Sequence, residues 1–342
     1  MSFYRAFVRP TIDLFSGFDR ERAHYIALYA LRSYGTLFRF GGVRNEVRAF
    51  GVTFPNPVGV AAGFDKHAIA LAGLEALGFG FVEVGTVVPL PQEGNPRPRL
   101  FRLTEDRAII NRMGFNSEGA AALAKRLSAH RVHRIPIGVN IGKNKDTPLA
   151  QAADDYEKCI ERLYPHADYF TVNVSSPNTK DLRQLQEKQQ LETLLARVQR
   201  KIHECAQGAK IKPMLLKIAP DLSQSEQDDI LSVAASRVQG LVICNTTVAR
   251  PPSLRSRHRA ETGGLSGKPL QARALELVRY VHTRLPTMPI IGVGGILSPD
   301  DALRMFDAGA SLVQLYTGLI FEGPFLPYRI NRALAARASR SN

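Results

Sequence analysis

Between residues 169 and 186 the sequence YFTVNVSSPNTKDLRQLQ turns from an apolar strand pattern into a crowd of amides and hydroxyls. Phe170, Val172 and Val174 read as buried strand, and Asn173, Ser175, Ser176, Asn178 and Thr179 arrive almost together. Polar groups at such a place must be satisfied by water, backbone or a ligand. Similar groups recur along the chain. AAGFDK offers Ala61, Ala62 and Gly63, which let a ligand approach the backbone, and then the cation Lys66. EVGTVVP offers Gly85 and Thr86, and NRMGFN offers Asn111, Gly114, Phe115 and Asn116. GVNIGKNK carries Asn140 and Lys143, and CNTT carries Asn245 and Thr246. Lys217 stands inside the apolar run MLLKIA, where it needs an anionic partner or a polar lumen. GGLSGKP (263–269), GVGG (292–295) and LYTG (315–318) supply glycine turns whose N–H groups suit a phosphate.

One at a time, an Asn or Gly at a strand end is more often turn chemistry than ligand contact. Lys217 alone is equally a structural ion pair. Together the groups suit a large planar phosphorylated cofactor with imide edges and an anionic substrate. No His pair or carboxylate pair accompanies them, so neither metal hydrolysis nor paired-carboxylate chemistry is supported, and no metal is expected.

These groups need a scaffold that gathers them. Apolar strand patterns fall at 57–62, 81–87, 135–141, 169–174, 214–219, 240–245, 289–294 and 311–316, with helical patterns between them at 66–77, 149–164, 188–206, 223–236, 269–284 and 299–308. SQSEQDD and SPDDAL place Ser before acidic residues, as helix starts do. Strands alternating with helices imply a parallel sheet, and eight units imply an α/β fold of the (β/α)8 TIM-barrel type, with an open doubly wound sheet as the structural rival. Active sites of such barrels lie at the C-terminal ends of the strands. EVRAFGVTFP, within 46–55, reads as a hairpin that plugs the barrel bottom.

Residues 1–45 do not fit the repeat and form an N-terminal helical extension to a 46–342 catalytic barrel. Phe3, Tyr4, Phe7, Val8, Ile12, Leu14, Phe15 and Phe18 precede a helix with Ala23, Ile26, Ala27 and Ala30 at helical spacing, widened by Tyr25, Leu28, Tyr29 and Leu31. Two short amphipathic helices follow, either as a cap on the barrel or as an interfacial membrane patch. No apolar run reaches the ~18 residues of a membrane span. The N-terminus is no signal peptide, since Arg5, Arg9, Pro10 and Asp13 interrupt it. Cys159, Cys205 and Cys244 form no CxxC pair, so no zinc or iron–sulfur site is encoded and a reducing compartment fits. The net charge of +14 admits a nucleic acid, an anionic membrane or anionic small ligands. No zinc-finger or RRM-type signature supports a nucleic-acid partner.

AAGFDK, GTVVPLPQEGNPRPRLFRL, NRMGFN, NIGKNKDT, NVSSPNT, KIAPDL, NTT, GGLSGKPL, GVGGI and LYTG, in this order, closely resemble dihydroorotate dehydrogenase of the class 2, quinone-dependent, membrane-associated branch. The resemblance runs along essentially the whole chain. Class 1 relatives carry Cys at the position of Ser176 and lack the N-terminal helices. The resemblance implies an FMN-containing barrel that oxidises (S)-dihydroorotate to orotate in pyrimidine synthesis and hands the electrons to a membrane quinone. Ala61, Ala62, Gly63, Lys66, Thr86, Asn140, Asn173, Lys217, Cys244, Gly267, Gly295, Tyr316 and Thr317 match FMN contacts. Lys66, Asn111, Arg112, Met113, Gly114, Phe115, Asn173, Asn178, Asn245 and Thr246 match orotate contacts. His24 and Arg102 fall at the quinone tunnel.

Ser176 matches the catalytic base, with Thr179 as a proton relay beside Phe115. Lys217 would face negative charge on the cofactor, and Lys66 would serve both cofactor and substrate carboxylate. Val88 and Cys244 stand where many relatives have Thr. Residues 1–45 would carry the quinone tunnel and a peripheral membrane contact. A monomer on the cytoplasmic face of a bacterial inner membrane is expected, ahead of a mitochondrial inner membrane. The Arg-rich, Pro-containing stretch 249–262 reads as mobile. On a regular strand Ser175 shares a face with Asn173, and Ser176 points away. The assignment of Ser176 therefore requires the strand to end first.

Overall fold

The computed structural model describes residues 4–35, 43–129 and 135–341. Phe3 and the stretch 36–42 of the N-terminal segment lie outside the described residues. Eight parallel strands close on themselves: β1 (Val58–Val60), β2 (Phe81–Val87), β3 (Ile137–Ile141), β4 (Tyr169–Asn173), β5 (Met214–Ile218), β6 (Gly240–Ile243), β7 (Ile290–Val293) and β8 (Leu312–Leu315). They are neighbours in sequence order, and β8 pairs back onto β1, which rules out the open sheet. The outer ring comprises α1 (Leu71–Ala76), α2 (Ala120–Ala129), α3 (Ala152–Leu163), α4 (Lys188–Ala206), α5 (Gln224–Arg237), α6 (Gln271–Arg284), α7 (Pro299–Asp307) and α8 (Leu326–Ser341).

Local chemistry sets the helix starts. Ser223 and Glu226 form a reciprocal capping box at α5, and the Ser298 hydroxyl accepts from the Asp301 N–H at α7. Most strands are one to three residues shorter than their apolar patterns: β4 stops at Asn173, β1 at Val60 and β6 at Ile243. At the rim the chain leaves the ladder, so apolar pattern and pairing part company there.

The two faces of each strand belong to different cores. Val82, Val84, Val139, Phe170, Val172, Leu216 and Ile243 pack outward against the helices. Phe81, Tyr169, Leu215, Val242, Ile291 and Leu312 fill the lumen, joined by Phe54 of the hairpin Val47–Ala49/Val52–Phe54. Phe54 meets Phe81 edge-on at 5.1 Å, and Phe50 meets Tyr169 at 5.4 Å, so the hairpin plugs the barrel at the strands' N-terminal end. The lumen has no room to spare. A Cβ on Gly59 would run into the Phe81 ring, and one on Gly138 into the Tyr169 ring.

Over the opposite rim lies a three-stranded antiparallel sheet of Leu100–Leu103, Ala108–Asn111 and Gly264–Gly267. The sequence pattern did not single out this sheet. It also orders the loop 249–262, contrary to the mobility suggested by its composition. Asp106 accepts from the N–H groups of Arg255 and Ser256, and Arg250 donates to Glu261 O and Gly263 O.

The N-terminal helices Arg9–Phe15 and Arg20–Tyr34 are present, the second packing on α1 and on the strand Leu100–Leu103. Its packed face is Glu21, His24, Tyr25 and Leu28, while Ile26, Tyr29 and Ala30 face out. Of the apolar face expected from the sequence, Ala23 and Leu28 are buried and Tyr25, Ala27 and Leu31 half-buried, while Ile26, Tyr29 and Ala30 are exposed. Buried Glu21 and half-buried His24 add polar members to the docking face that the apolar pattern did not show. Asp13 holds Arg102 at 2.8 Å and Arg20 at 2.7 Å, tying the first helix to the rim sheet. No helix among the described residues is long and apolar enough to cross a membrane.

The tight lumen makes a direct prediction. Gly138→Ala is expected to cost about 1–3 kcal/mol of stability, the usual range for overpacking. An unchanged thermal midpoint would contradict the packing described.

Candidate active site

The strands' C-terminal ends surround a cavity of about 1040 Å³, its open mouth included. Its walls take in nearly every rim residue that the sequence singled out. Ala61, Ala62, Gly63 and Lys66 follow β1, and Thr86 ends β2. Asn111, Met113, Gly114 and Phe115 follow the middle strand of the rim sheet. Asn173, Ser176 and Asn178 come from β4, Lys217 from β5, and Cys244, Asn245 and Thr246 from β6. Gly267, Gly295, Tyr316 and Thr317 complete the ring.

Beneath the cavity lies a buried polar layer. Glu83 of β2, wholly buried, accepts from Asn140 Nδ2 at 2.8 Å, Gln314 Nε2 at 2.8 Å and the Tyr169 hydroxyl at 3.4 Å. Asn140 Oδ1 in turn accepts from Thr86 Oγ1 at 2.5 Å and Asn173 Nδ2 at 3.1 Å. Asn140 thus sits one layer below the wall and orients two groups in it. Burial lowers the pKa of Lys217, and the Glu83 carboxylate opposes that fall. The sequence reading passed over Glu83 and Gln314. Yet Glu83 is a charge inside an apolar strand, the same signal that marked Lys217.

The β4 end places the two serines differently. β4 stops at Asn173, and Ser175 is fully buried, its hydroxyl donating to Asn173 Oδ1 at 3.0 Å and accepting from Asn245 Nδ2 at 3.0 Å. Ser175 is a brace between two rim asparagines. Ser176 lies beyond the strand and lines the cavity, and its Oγ accepts from the Asn178 N–H at 3.2 Å. Asn178 Nδ2 donates to Asn111 Oδ1 at 3.1 Å. Thr179 is buried off the wall, its Oγ1 without a hydrogen-bond partner.

Arg112 departs from expectation. Its guanidinium lies over the Phe101 ring at 4.5 Å and donates to Glu261 at 2.8 Å, away from the cavity its neighbours line. The strand ends at Asn111, and Arg112, the first residue beyond it, turns away from the cavity that Asn111 lines. Cys244 donates weakly to Val293 O at 3.8 Å, and burial pushes its thiol up to about 12. Val88 is buried in the core.

A smaller cavity of about 370 Å³ lies under the second N-terminal helix. Glu21, His24, Tyr25, Leu28, Phe64, His67, Leu100 and Asn116 line it, and it shares Gly63, Lys66, Met113 and Tyr316 with the large one. His24 Nε2 is 2.6 Å from Phe64 O, which makes Nε2 the protonated nitrogen. Burial lowers the His24 pKa to about 4, so the ring is neutral. Arg102 does not line this cavity; it is held by Asp13 beside it. Lys66 donates to Asn116 Oδ1, and burial, then the Arg99 charge, bring its pKa down to about 7.

The large cavity fits FMN. Gln314 Oε1 is buried without a partner in its wall, a polar atom suited to a ring edge. Gly267 and Gly295 adopt φ of +92° and +68°, and a Cβ on either would strike neighbouring backbone. Such turns present N–H groups to a phosphate. Lys217, Thr86 and Asn173 would flank the ring system, with the asparagine cluster left for a second, smaller ligand.

Comparison with known proteins agrees. The family model described as dihydroorotate dehydrogenase matches residues 44–337. A dihydroorotate dehydrogenase (quinone) of Chloroflexus aurantiacus is 50% identical, over 97% of this chain and 96% of that one. The Thermus thermophilus enzyme of the same name is 51% identical over 91% of each. A mitochondrial form from Mus musculus is 48% identical over 98% of this chain and 86% of that one. The crystal structure of the Eimeria tenella protein with ferulenol superposes with a TM-score of 0.89 at 40% identity, covering 95% of this chain and 93% of that one. Matched along almost its entire length in sequence and in fold, this chain belongs to the dihydroorotate dehydrogenase family, on the quinone-dependent branch.

Proposed function

We infer that this protein oxidises (S)-dihydroorotate to orotate with bound FMN, in pyrimidine synthesis, and delivers the electrons to a quinone. The observation that carries the reading is a pair of cavities with a common wall. One holds seven amide and ammonium side chains beside a serine, and the other lies under an amphipathic helix. FMN, when bound, supplies the acceptor for the hydride that leaves C6.

The chain supplies binding and proton handling. Asn111, Asn173, Asn178 and Asn245 offer both donors and acceptors to the pyrimidine edges. A site built this way rejects analogues that lack those groups. Lys66 meets the substrate carboxylate. Ser176 takes the proton from C5. A serine is a weak base and needs a held geometry and an exit for the proton. The Asn178 N–H fixes its Oγ, and the unpartnered Thr179 hydroxyl is the relay, with Phe115 as wall. Lys217 places positive charge at the cavity floor, where the cofactor becomes electron-rich.

The quinone enters the smaller cavity between the N-terminal helices and the barrel, past His24, with Arg102 at its edge. Leu14, Phe15 and Phe18 share the turn joining the helices and are 66%, 78% and 64% exposed. A cluster of large exposed apolar side chains marks an interaction surface, and a lipid-soluble acceptor requires contact with a bilayer. The proposed attachment is peripheral, by one copy of the chain, at the cytoplasmic face of a bacterial inner membrane.

Three measurements follow from these roles. Ser176→Ala should keep the protein yellow but slow anaerobic bleaching of its flavin by dihydroorotate about 10²–10⁴-fold; bleaching at the parent rate would remove Ser176 from the base role. The low pKa of Lys66 has a definite sign. Near pH 8 the free site is mostly neutral, and a carboxylate must bring a proton with it. Orotate affinity should fall about tenfold per unit well above pH 7, with proton uptake visible by calorimetry in buffers of different ionisation enthalpy. A flat profile from pH 6 to 9 would contradict it. Finally, Phe15→Ser with Phe18→Ser should weaken binding to anionic vesicles at least about tenfold while leaving orotate affinity alone, and parent-like vesicle binding would place the membrane contact elsewhere.

A further inference from the structure

Glu21 and Arg99 form a buried ion pair that no step above uses. Glu21 opens the helix Arg20–Tyr34 and lines the smaller cavity, and Arg99 precedes the rim sheet by one residue. Both are almost fully buried. Arg99 Nε and Nη2 meet the two carboxylate oxygens at 2.9 and 2.6 Å, a two-point fork, and Arg97 adds a contact at 3.2 Å.

The rest of the Arg99 head faces the substrate side. Its Nη1 donates to Glu93 O at 2.6 Å and Asn95 O at 2.9 Å. Asn95 reaches on with its amide, Nδ2 donating to Arg112 O at 3.0 Å and to Asn178 O at 3.1 Å. The Asn95 N–H donates to Met113 O at 3.0 Å, and its side chain packs against Gly114 so closely that a Cβ there would strike it. The Arg112 N–H closes the circuit on Arg99 O at 2.9 Å. One guanidinium therefore links the N-terminal helix to both segments that carry Asn111, Met113, Gly114 and Asn178.

We propose that the Glu21–Arg99 pair is a positioning device for the dihydroorotate site, so that docking of the N-terminal helix holds the substrate loops as well as forming the quinone cavity. The proposal rests on the reading that those loops contact the pyrimidine. It goes beyond that reading by giving the helix a part in the first half-reaction.

The pair also sets charge at Lys66, the residue common to both cavities. Around Lys66 lie Glu21, His24 and Tyr25 from the helix, Arg99 from the segment before the rim sheet, His67 from its own loop, Asn116, and Tyr316 after β8. Glu21 supplies the negative charge that supports its ammonium, and Arg99 opposes it.

The test uses the full-length, flavin-loaded protein and orotate titrations followed by flavin absorbance. Glu21→Gln should raise the orotate Kd about three- to thirtyfold and move the high-pH fall in affinity to lower pH, because a supporting negative charge is gone. Arg99→Lys keeps the charge but loses the fork; it should raise the Kd over the same range with the pH limb unmoved. Parent-like orotate binding in both variants, with the loss confined to the quinone KM, would overturn the proposal. If Glu21→Gln does not fold, Arg99→Lys decides alone, and a parent-like Kd there overturns it. Asn178→Ala separates the two levels. A parent-like Kd in that variant fells the substrate reading and the proposal together, whereas a weakened Asn178→Ala beside unchanged Glu21→Gln and Arg99→Lys fells the proposal only.

Discussion

Closing eight parallel strands into a barrel forces all their C-terminal ends onto one rim. Everything chemical in this molecule depends on that constraint. Residues as distant as Lys66, Asn173, Asn245 and Tyr316 become neighbours around one cavity because each follows a different strand. The constraint also fixes parity. Alternate residues point into the lumen or toward the helices, so each strand carries two separate apolar sets. Tyr169, Phe81 and Phe54 pack the lower lumen, and the missing side chains of Gly59 and Gly138 make space for them.

Higher in the lumen the same parity brings in polar groups, which carry a desolvation cost unless paired. Glu83 takes three donors, and Lys217 finds its compensating charge across the lumen. The floor of the cavity is thus a connected network rather than a set of independent contacts. Asn140, which does not line the cavity, orients Thr86 and Asn173, which do. Such layers hold ligand-facing groups in one geometry, which is what orientation-dependent chemistry requires.

The rim sheet and the N-terminal helices give this barrel a second cavity beside the first. They roof one cavity and wall another, and the shared residues Gly63, Lys66, Met113 and Tyr316 leave little protein between them. The helices are fastened by ion pairs, Asp13 with Arg102 and Glu21 with Arg99, together with part of the apolar face, Ala23 and Leu28 being buried. Much of that face points outward, where the exposed turn 14–18 continues it.

The sequence by itself determined the repeat. Apolar runs of strand length alternating with amphipathic helices, started by Ser223 and Ser298, led to the barrel. Motifs at the strand ends led to the rim, because strand order and strand polarity are local properties of the chain. The tertiary structure decided what depends on distant pairing. The rim sheet joins 264–267 to 108–111, a contact no local pattern encodes, and with it came the ordering of 249–262 and the outward turn of Arg112. The docking face of the second helix was legible in Ala23, Tyr25 and Leu28 but not in Glu21 and His24, which are polar and find their partners far away in sequence. Which of Ser175 and Ser176 faces the cavity also lay beyond pattern. Alternation holds only while the backbone stays paired, and β4 releases its partner at Asn173, so that Ser176 lines the cavity and Ser175 is buried beneath it.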